Sequence, residues 1–231
     1  MENELSRLEI LIGTEKLNKI KNSHVAVIGV GGVGGYVVES LVRCGIGQIT
    51  IVDNDIINIS NLNRQIISLH SNIGEKKVDV LEKRILDINP NCKVNKYGLF
   101  LDETTIDKIF ENSFDYVIDA IDTVNSKLLL IKYCKNNNIP IISSMGTGNK
   151  LNPLDLKVCD ISKTHTCPLA KRIRVELKKE GIKKLKVVFS TEQPLKIDNE
   201  KNQVRLIGST AFVPSSAGLI ISSEVIKDLI N

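Results

Sequence analysis

Between residues 27 and 35 the chain reads VIGVGGVGG, with five glycines in the seven positions 29–35. Gly29, Gly31 and Gly34 fit the spacing G-x-G-x-x-G, and Gly32 sits inside it. Missing side chains there allow a tight turn and let a phosphate approach the amides at a helix start. Asp53 ends the next apolar run, about where an acidic side chain would take ribose hydroxyls. The loop DNDIINISNLNRQ then supplies Asp55, Asn61, Arg64 and Gln65, and Lys77 opens the helix after it. A dinucleotide brings about two negative charges, which glycine amides and a helix dipole can hold, whereas a triphosphate brings about four and calls for Arg, Lys and a metal. Arg64 and Lys77 suit the larger load. In DAIDTVNSK, Asp119 ends a strand pattern, and Asp122, three residues on, is placed to bind magnesium on the phosphates. Other uses of these residues stay open: a redox dinucleotide, glycines that only pack helix on strand, and Asp122 as nothing more than a helix cap.

Those residues need a frame that brings strand ends together. Apolar runs at 24–29, 48–53, 93–98, 115–120 and 140–144 alternate with helix-period segments at 33–44, 74–90, 104–111 and 125–135. This rhythm predicts a Rossmann-like α/β fold, a mostly parallel sheet with helices on both faces. The pattern breaks near residue 146. Beyond it we read a strand at 154–159, a basic helix at 168–180, a strand LKVVFS, a polar hairpin near Asp198–Asn202 and a final helix, all extending the same sheet. One domain of 231 residues is expected, with an N-terminal helical arm (1–23), a nucleotide-binding core (24–145) and a substrate-side extension (146–231).

Composition narrows the partners. The net charge is +4, but residues 168–186 hold eight Lys or Arg against two Glu, so the remainder of the chain is slightly acidic. A concentrated basic segment suits a nucleic-acid backbone, although a solvated helix face has the same composition. Four Tyr, five Phe and no Trp leave few rings for base stacking. The five cysteines form no C-x-x-C pair, and no signal peptide is recognisable, so free thiols in a reducing cytoplasm are expected. Near the C-terminus, AFVPSSAGLIISSEVI is apolar but carries Pro214, four serines and Glu224, which favours a buried helix over membrane insertion.

The order of GVGGVGG, NLNRQI, the Gly74–Lys77 segment and DAID resembles the ubiquitin-activating-enzyme-like superfamily of adenylating enzymes. SRLEILIG, DINPNCKV, DYVIDAIDTVNSK, YCKNNNIPIISSMGTG, DISKT, PLAKRIR and VVFSTEQP extend the likeness over nearly the whole chain, toward the tRNA threonylcarbamoyladenosine dehydratase branch. That resemblance implies ATP-dependent activation of the threonyl carboxylate next to the anticodon, followed by ring closure. It implies that Gly29, Gly31, Gly32, Gly34, Asp53 and Asp55 line the nucleotide, that Asn61, Arg64, Gln65 and Lys77 grip phosphates, and that Asp122 holds Mg2+. It also implies a homodimer in which Arg7 reaches the partner's ATP, Arg172 and Arg174 as tRNA contacts, and a possible sulfur-transfer partner. The paired C-x-x-C motifs of many carrier-protein activators are missing, which weighs against adenylation of a sulfur carrier and excludes a four-cysteine zinc site. A nucleotide-binding scaffold without chemistry is the other alternative; it has little use for Arg64, Lys77 and Asp122 together. Cys167, two residues from His165, reads as a surface-loop thiol without catalytic duty. Ser190 or Glu192 in FSTEQP is a further candidate for the substrate pocket.

Overall fold

The structure is a computed structural model and describes residues 3–196 and 207–231. The expected hairpin near Asp198–Asn202 lies outside the described residues.

Seven strands form one sheet: β1 (His24–Ile28), β2 (Gln48–Val52), β3 (Lys93–Tyr97), β4 (Tyr116–Asp119), β5 (Ile141–Ser144), β6 (Leu156–Asp160) and β7 (Lys186–Ser190). Their spatial order is β3-β2-β1-β4-β5-β7-β6, and only the edge pair β6–β7 is antiparallel. The second half of the chain therefore extends the first sheet, as its pattern implied. β1 is buried along its whole length because it is covered twice. Val25 and Val27 face one core, Ala26 and Ile28 the other, following the two-residue period of a strand.

Helices α2 (Thr14–Asn22), α3 (Gly34–Arg43), α4 (Lys77–Ile88) and α8 (Phe212–Ile230) build the first core, and α5 (Ile106–Ile109), α6 (Val124–Asn136) and α7 (Pro168–Lys179) the second. α1 (Ser6–Ile12) touches the first core only through the partly buried Ile12 and leaves Ile10 and Leu11 exposed. The apolar C-terminal segment is α8, whose stripe Val213, Ala217, Ile221 and Val225 is buried at helical spacing. It crosses α3 at backbone distance: a Cβ on Gly218 would lie 2.6 Å from the Val33 carbonyl oxygen. Among the described residues no helix is long and apolar enough to cross a membrane.

Several boundaries shift by a few residues, and two of the shifts have local reasons. The helix expected at 104–111 shrinks to Ile106–Ile109, because Asp102 and Thr105 form a side-chain turn, with the Asp102 amide on Thr105 Oγ1 at 2.9 Å. The strand expected from residue 154 starts at Leu156, after a 3-10 turn in which Asn152 Oδ1 accepts from the Leu154 amide.

Candidate active site

Counting out from β1, the chain runs one way to β2 and β3 and the other way to β4 and β5, so the loops leaving β1 and β4 part and open a crevice. An open parallel sheet binds ligands at this position. A cleft of about 920 Å³ lies there, lined by the loops after β1, β2, β4 and β5 and by the start of α7.

The glycine loop is shaped by backbone contact. Gly29 has φ +87° and packs on the Ala120 carbonyl, and a Cβ on Gly34 would lie 1.8 Å from the Gly29 carbonyl oxygen. Gly34 is therefore required by the turn itself and, unlike Gly29, Gly31 and Gly32, does not line the cleft. Asp53 reaches under this loop: its Oδ2 accepts from the Val30 amide at 2.8 Å and its Oδ1 from the Asp55 amide at 2.9 Å. Burial pushes the Asp53 carboxyl above its ordinary range, and Lys77 and the two amides only partly oppose this.

Lys77 is buried in the first turn of α4, with Nζ 2.6 Å from Asp55 and 3.8 Å from Asp53. Arg64 folds its stem beneath Gly32 and donates to the Ser60 carbonyl at 2.8 Å, which brings the guanidinium to the cleft. Asn61 Oδ1 accepts from the Asn58 amide at 3.0 Å. Gln65 is buried beside Gly31, and its Oε1 has no hydrogen-bond partner among the described residues. A buried acceptor left open at a cleft wall needs a donor from outside the chain.

Across the cleft, Asp119 is fully buried and bonded to Lys127 at 2.7 Å and to the Ser143 hydroxyl, while its Oδ1 accepts from the Ile121 amide at 3.1 Å. That arrangement fixes the turn that presents Asp122. The N-cap of α6 is Thr123, and Asp122 makes no capping bond, so the plain capping role is set aside. Asp122 is exposed on the cleft wall. Among the described residues no three His, Cys, Asp or Glu side chains are grouped so that they could hold a metal ion, so a hard cation here would draw most of its oxygen ligands from a bound phosphate chain and water. One free carboxylate facing Lys77 and Arg64 fits such a cation.

The far half of the cleft is formed by the second glycine loop, Gly146–Lys150, with Cys167 and Arg172 opposite. Of these, Arg172 was expected on the substrate side, whereas the glycine loop and Lys150 were not assigned from sequence. The loop's signal was SSMGTGNK, a glycine-bearing turn directly after a strand. Lys150 is 2% exposed and donates to the Ser190 carbonyl at 3.3 Å. Burial pulls its pKa down, against the weaker pull of Cys167, Glu192 and Asp155. Cys167, expected on a surface loop, is instead buried at the N-cap of α7, with Sγ positioned 3.6 Å from where a Gly146 Cβ would stand. His165 turns away, its ring edge-on to Phe189 at 5.4 Å, and does not line the cleft.

Other expected residues fall outside the lining. Arg174 donates to the Thr164 carbonyl at 2.8 Å and to its hydroxyl, holding the loop before α7, while Arg172 two positions earlier is exposed at the cleft mouth. Ser190 is buried and receives the Glu192 amide at 3.1 Å; the Glu192 carboxylate receives the Leu151 and Asn152 amides. Both side chains thus brace loops. Arg7 is exposed on α1, away from this chain's own cleft.

Sheet order, crevice and glycine turn define a Rossmann-like α/β protein whose ligand cleft sits at the topological switch point. More narrowly, the chain belongs to the ThiF family, whose sequence model matches residues 5–231. It is 46% identical over 243 residues to a tRNA threonylcarbamoyladenosine dehydratase of Bacillus subtilis, covering all of this chain and 96% of that one. It is also similar to crystal structures of the Escherichia coli tRNA N6-threonylcarbamoyladenosine dehydratase. The complex with ATP has a TM-score of 0.91 and 34% identity over 98% of this chain and 93% of that one. The complex with AMP has a TM-score of 0.88 and 34% identity over 96% and 92%.

Proposed function

We propose that this protein dehydrates threonylcarbamoyladenosine in tRNA, using ATP to activate the threonyl carboxylate so that the side chain closes into a ring. The observation that carries this reading is one continuous cleft with two unlike halves. One half has the glycine loop, Arg64, Lys77 and the open Gln65 acceptor; the other has Lys150 and opens beside the basic helix α7. A full-length relative of the same named activity agrees with it.

A carboxylate is a poor electrophile because oxide leaves badly; attack of its oxygen on the α-phosphorus of ATP releases pyrophosphate and gives an acyl adenylate, from which AMP leaves with that oxygen when the ring closes. The attacking nitrogen or oxygen belongs to the same side chain, so its effective concentration is high and the protein chiefly positions and neutralises charge. Gly31 and Gly32 admit the phosphates to the α3 amides, Arg64 and Lys77 balance them, and Asn61 and Gln65 orient them by donating from their side-chain amide nitrogens, which leaves the Gln65 carbonyl to accept from a donor elsewhere on the nucleotide. Asp53 and Asp55 hold the loop and take the ribose side. Asp122 would hold Mg2+, which supplies charge neutralisation on the phosphates when bound. Lys77 is carried to the phosphates by exchanging part of its bond to the exposed Asp55 carboxylate.

The exposed cations of α7 and the turn after it that have no ion-pair partner among the described residues, Lys171, Arg172, Lys178, Lys183 and Lys184, form the tRNA face; Lys179 is paired with Glu176, and Lys186 is spent on Glu224 and Asp228. Arg7 serves a partner's cleft in a homodimer, packed through the exposed Ile10 and Leu11. The chain acts as a single domain in the cytoplasm, with residues 24–145 as nucleotide core and 146–231 as substrate side. The test is mass spectrometry of nucleosides after incubating the protein with ATP, magnesium and threonylcarbamoylated tRNA. Loss of one water from the modified nucleoside is expected; ATP turnover with an unchanged nucleoside mass refutes the reading.

A further inference from the structure

Three buried lysines touch the region of the cleft, and they differ in what satisfies them. Lys127 has three acceptors, Asp119, the Ser143 hydroxyl and the Ser144 carbonyl. Lys77 has Asp55 and Asp53. Lys150 has one carbonyl, Ser190, at 3.3 Å, and among the described residues no carboxylate lies within 4.0 Å of it. An ammonium brings three donors and a full charge, and a protein interior seldom leaves either without a partner.

The position is also rigid. Directly before Lys150, Asn149 is held in the left-handed region at φ +57° by three bonds: its amide to the Gly208 carbonyl, the Gly208 amide to its Oδ1, and the Leu195 amide to its carbonyl. Directly after it, the Glu192 carboxylate accepts the Leu151 and Asn152 amides at 2.9 Å. A strained residue clamped on one side and a carboxylate brace on the other fix the stem of Lys150 at the wall of the cleft. Nothing in this bracing uses the ammonium itself.

We propose that Lys150 seats the acid group of the substrate, its ammonium binding the free carboxylate of the modified nucleoside in the half of the cleft opposite Arg64 and Lys77. This rests on the function proposed above. A single cation matches a single carboxylate, whereas the phosphates are assigned across the cleft to Arg64, Lys77, the α3 amides and the Mg2+ that Asp122 would hold. The substrate supplies a counter-charge that the described residues do not place within 4.0 Å of Lys150, so the seat is filled when the acid is present.

Lys150→Met tests this, because it keeps an unbranched stem of similar length and removes a buried ammonium that no described carboxylate pairs. A structural lysine would make that change destabilising; a substrate seat makes it neutral or stabilising while function falls. The expected result is a melting temperature at or above wild type, unchanged ATP affinity, and a KM for modified tRNA raised by about tenfold to a hundredfold with kcat within about threefold, as for loss of one charge-assisted contact. A lower melting temperature, weaker ATP binding, or a KM within threefold of wild type overturns the assignment. Competitive acylation of the wild-type protein, read by peptide mass spectrometry, is independent of the variant: modified tRNA should protect Lys150 and unmodified tRNA should not, and equal protection by both overturns it. Wild-type turnover separates the two failures. If wild type yields no dehydrated nucleoside the proposed function falls and this assignment with it; if wild type is active and Lys150→Met matches it, only the assignment falls.

Discussion

Replacing Lys127 by methionine removes one member of a completely buried ion pair and leaves Asp119 behind in the core, between β4 and β5. Both side chains are 0% exposed, so no water is at hand to take over the Lys127 bond, and the Ser143 hydroxyl and Ile121 amide remain as the carboxylate's partners. Breaking such a pair from one side destabilises by about 3–5 kcal/mol, a large part of the about 5–15 kcal/mol that holds a protein folded. For a chain of this size that is a fall in melting temperature of about 6–20 °C. Urea unfolding followed by circular dichroism is the assay, with the midpoint falling at constant slope. The double variant Asp119→Asn with Lys127→Met should lose clearly less than the two single losses together, because neither charge is then stranded. The site should register the change as well: Asp119 fixes the Ile121 amide and with it the turn carrying Asp122, so KM for ATP should rise in the folded fraction. A single variant within about 1 kcal/mol of wild type, or a double variant whose loss is simply additive, would refute the claim that this pair is held by mutual need.

Lys77→Met should fold, since its buried stem is retained, and should raise KM for ATP by about tenfold to a hundredfold, the scale of one charge-assisted phosphate contact; an unchanged KM would remove Lys77 from the phosphate site. Arg172→Ala should weaken tRNA binding and reduce the slope of log affinity against log salt by about one, without moving the melting temperature. Arg174→Ala should do the converse, costing about 1–2 kcal/mol of stability through the Thr164 bonds while leaving the salt slope alone. Burial pushes the Cys134 thiol up to about 12 and Cys92 up to about 11. Both therefore stay protonated through pH 9, and native alkylation read by peptide mass spectrometry should mark the partly exposed Cys44 and Cys159 before either.

The sheet was legible because a parallel strand covered on both faces has to be apolar throughout, and HVAVI, QITIV and YVID say so without help from the rest of the chain. The glycine turn was legible for a related reason, since backbone-to-backbone contact excludes every other residue at Gly29 and Gly34. What the spacing could not separate was contact with a ligand from contact within the loop, and Gly34 belongs to the second kind. Arg172 and Arg174 show the same limit on a helix. Two positions apart they point about 200° away from each other, one to solvent and the cleft mouth, the other onto Thr164. Which of the two faces outward depends on how α7 is seated on the second core, and that is set by residues far away in sequence.

Lys150 was illegible for a deeper reason. A lysine in the turn GTGNKLNP reads as solvated, and its burial arises only when Ser190, forty positions later, and Cys167 at the start of α7 close around it. The three lysines together suggest how the cleft divides its electrostatic work. Lys127 is neutralised from within and positions the Asp122 turn, so it needs nothing from a ligand. Lys77 is bound to a carboxylate that is itself 57% exposed, a partner that can be given up when phosphates arrive. Lys150 has no such partner within 4.0 Å among the described residues, and in the proposed reaction it takes its anion from outside. In the proposed reaction two anions must meet, the nucleotide and the acid. Their repulsion is lessened if each is met by its own cation on opposite walls, one cation borrowed from Asp55 and the other held ready by the fold. Neutralising Lys150 would then leave ATP affinity intact and weaken only the acid, whereas neutralising Lys77 would do the reverse, so a crossed pattern of KM effects is the signature of this division.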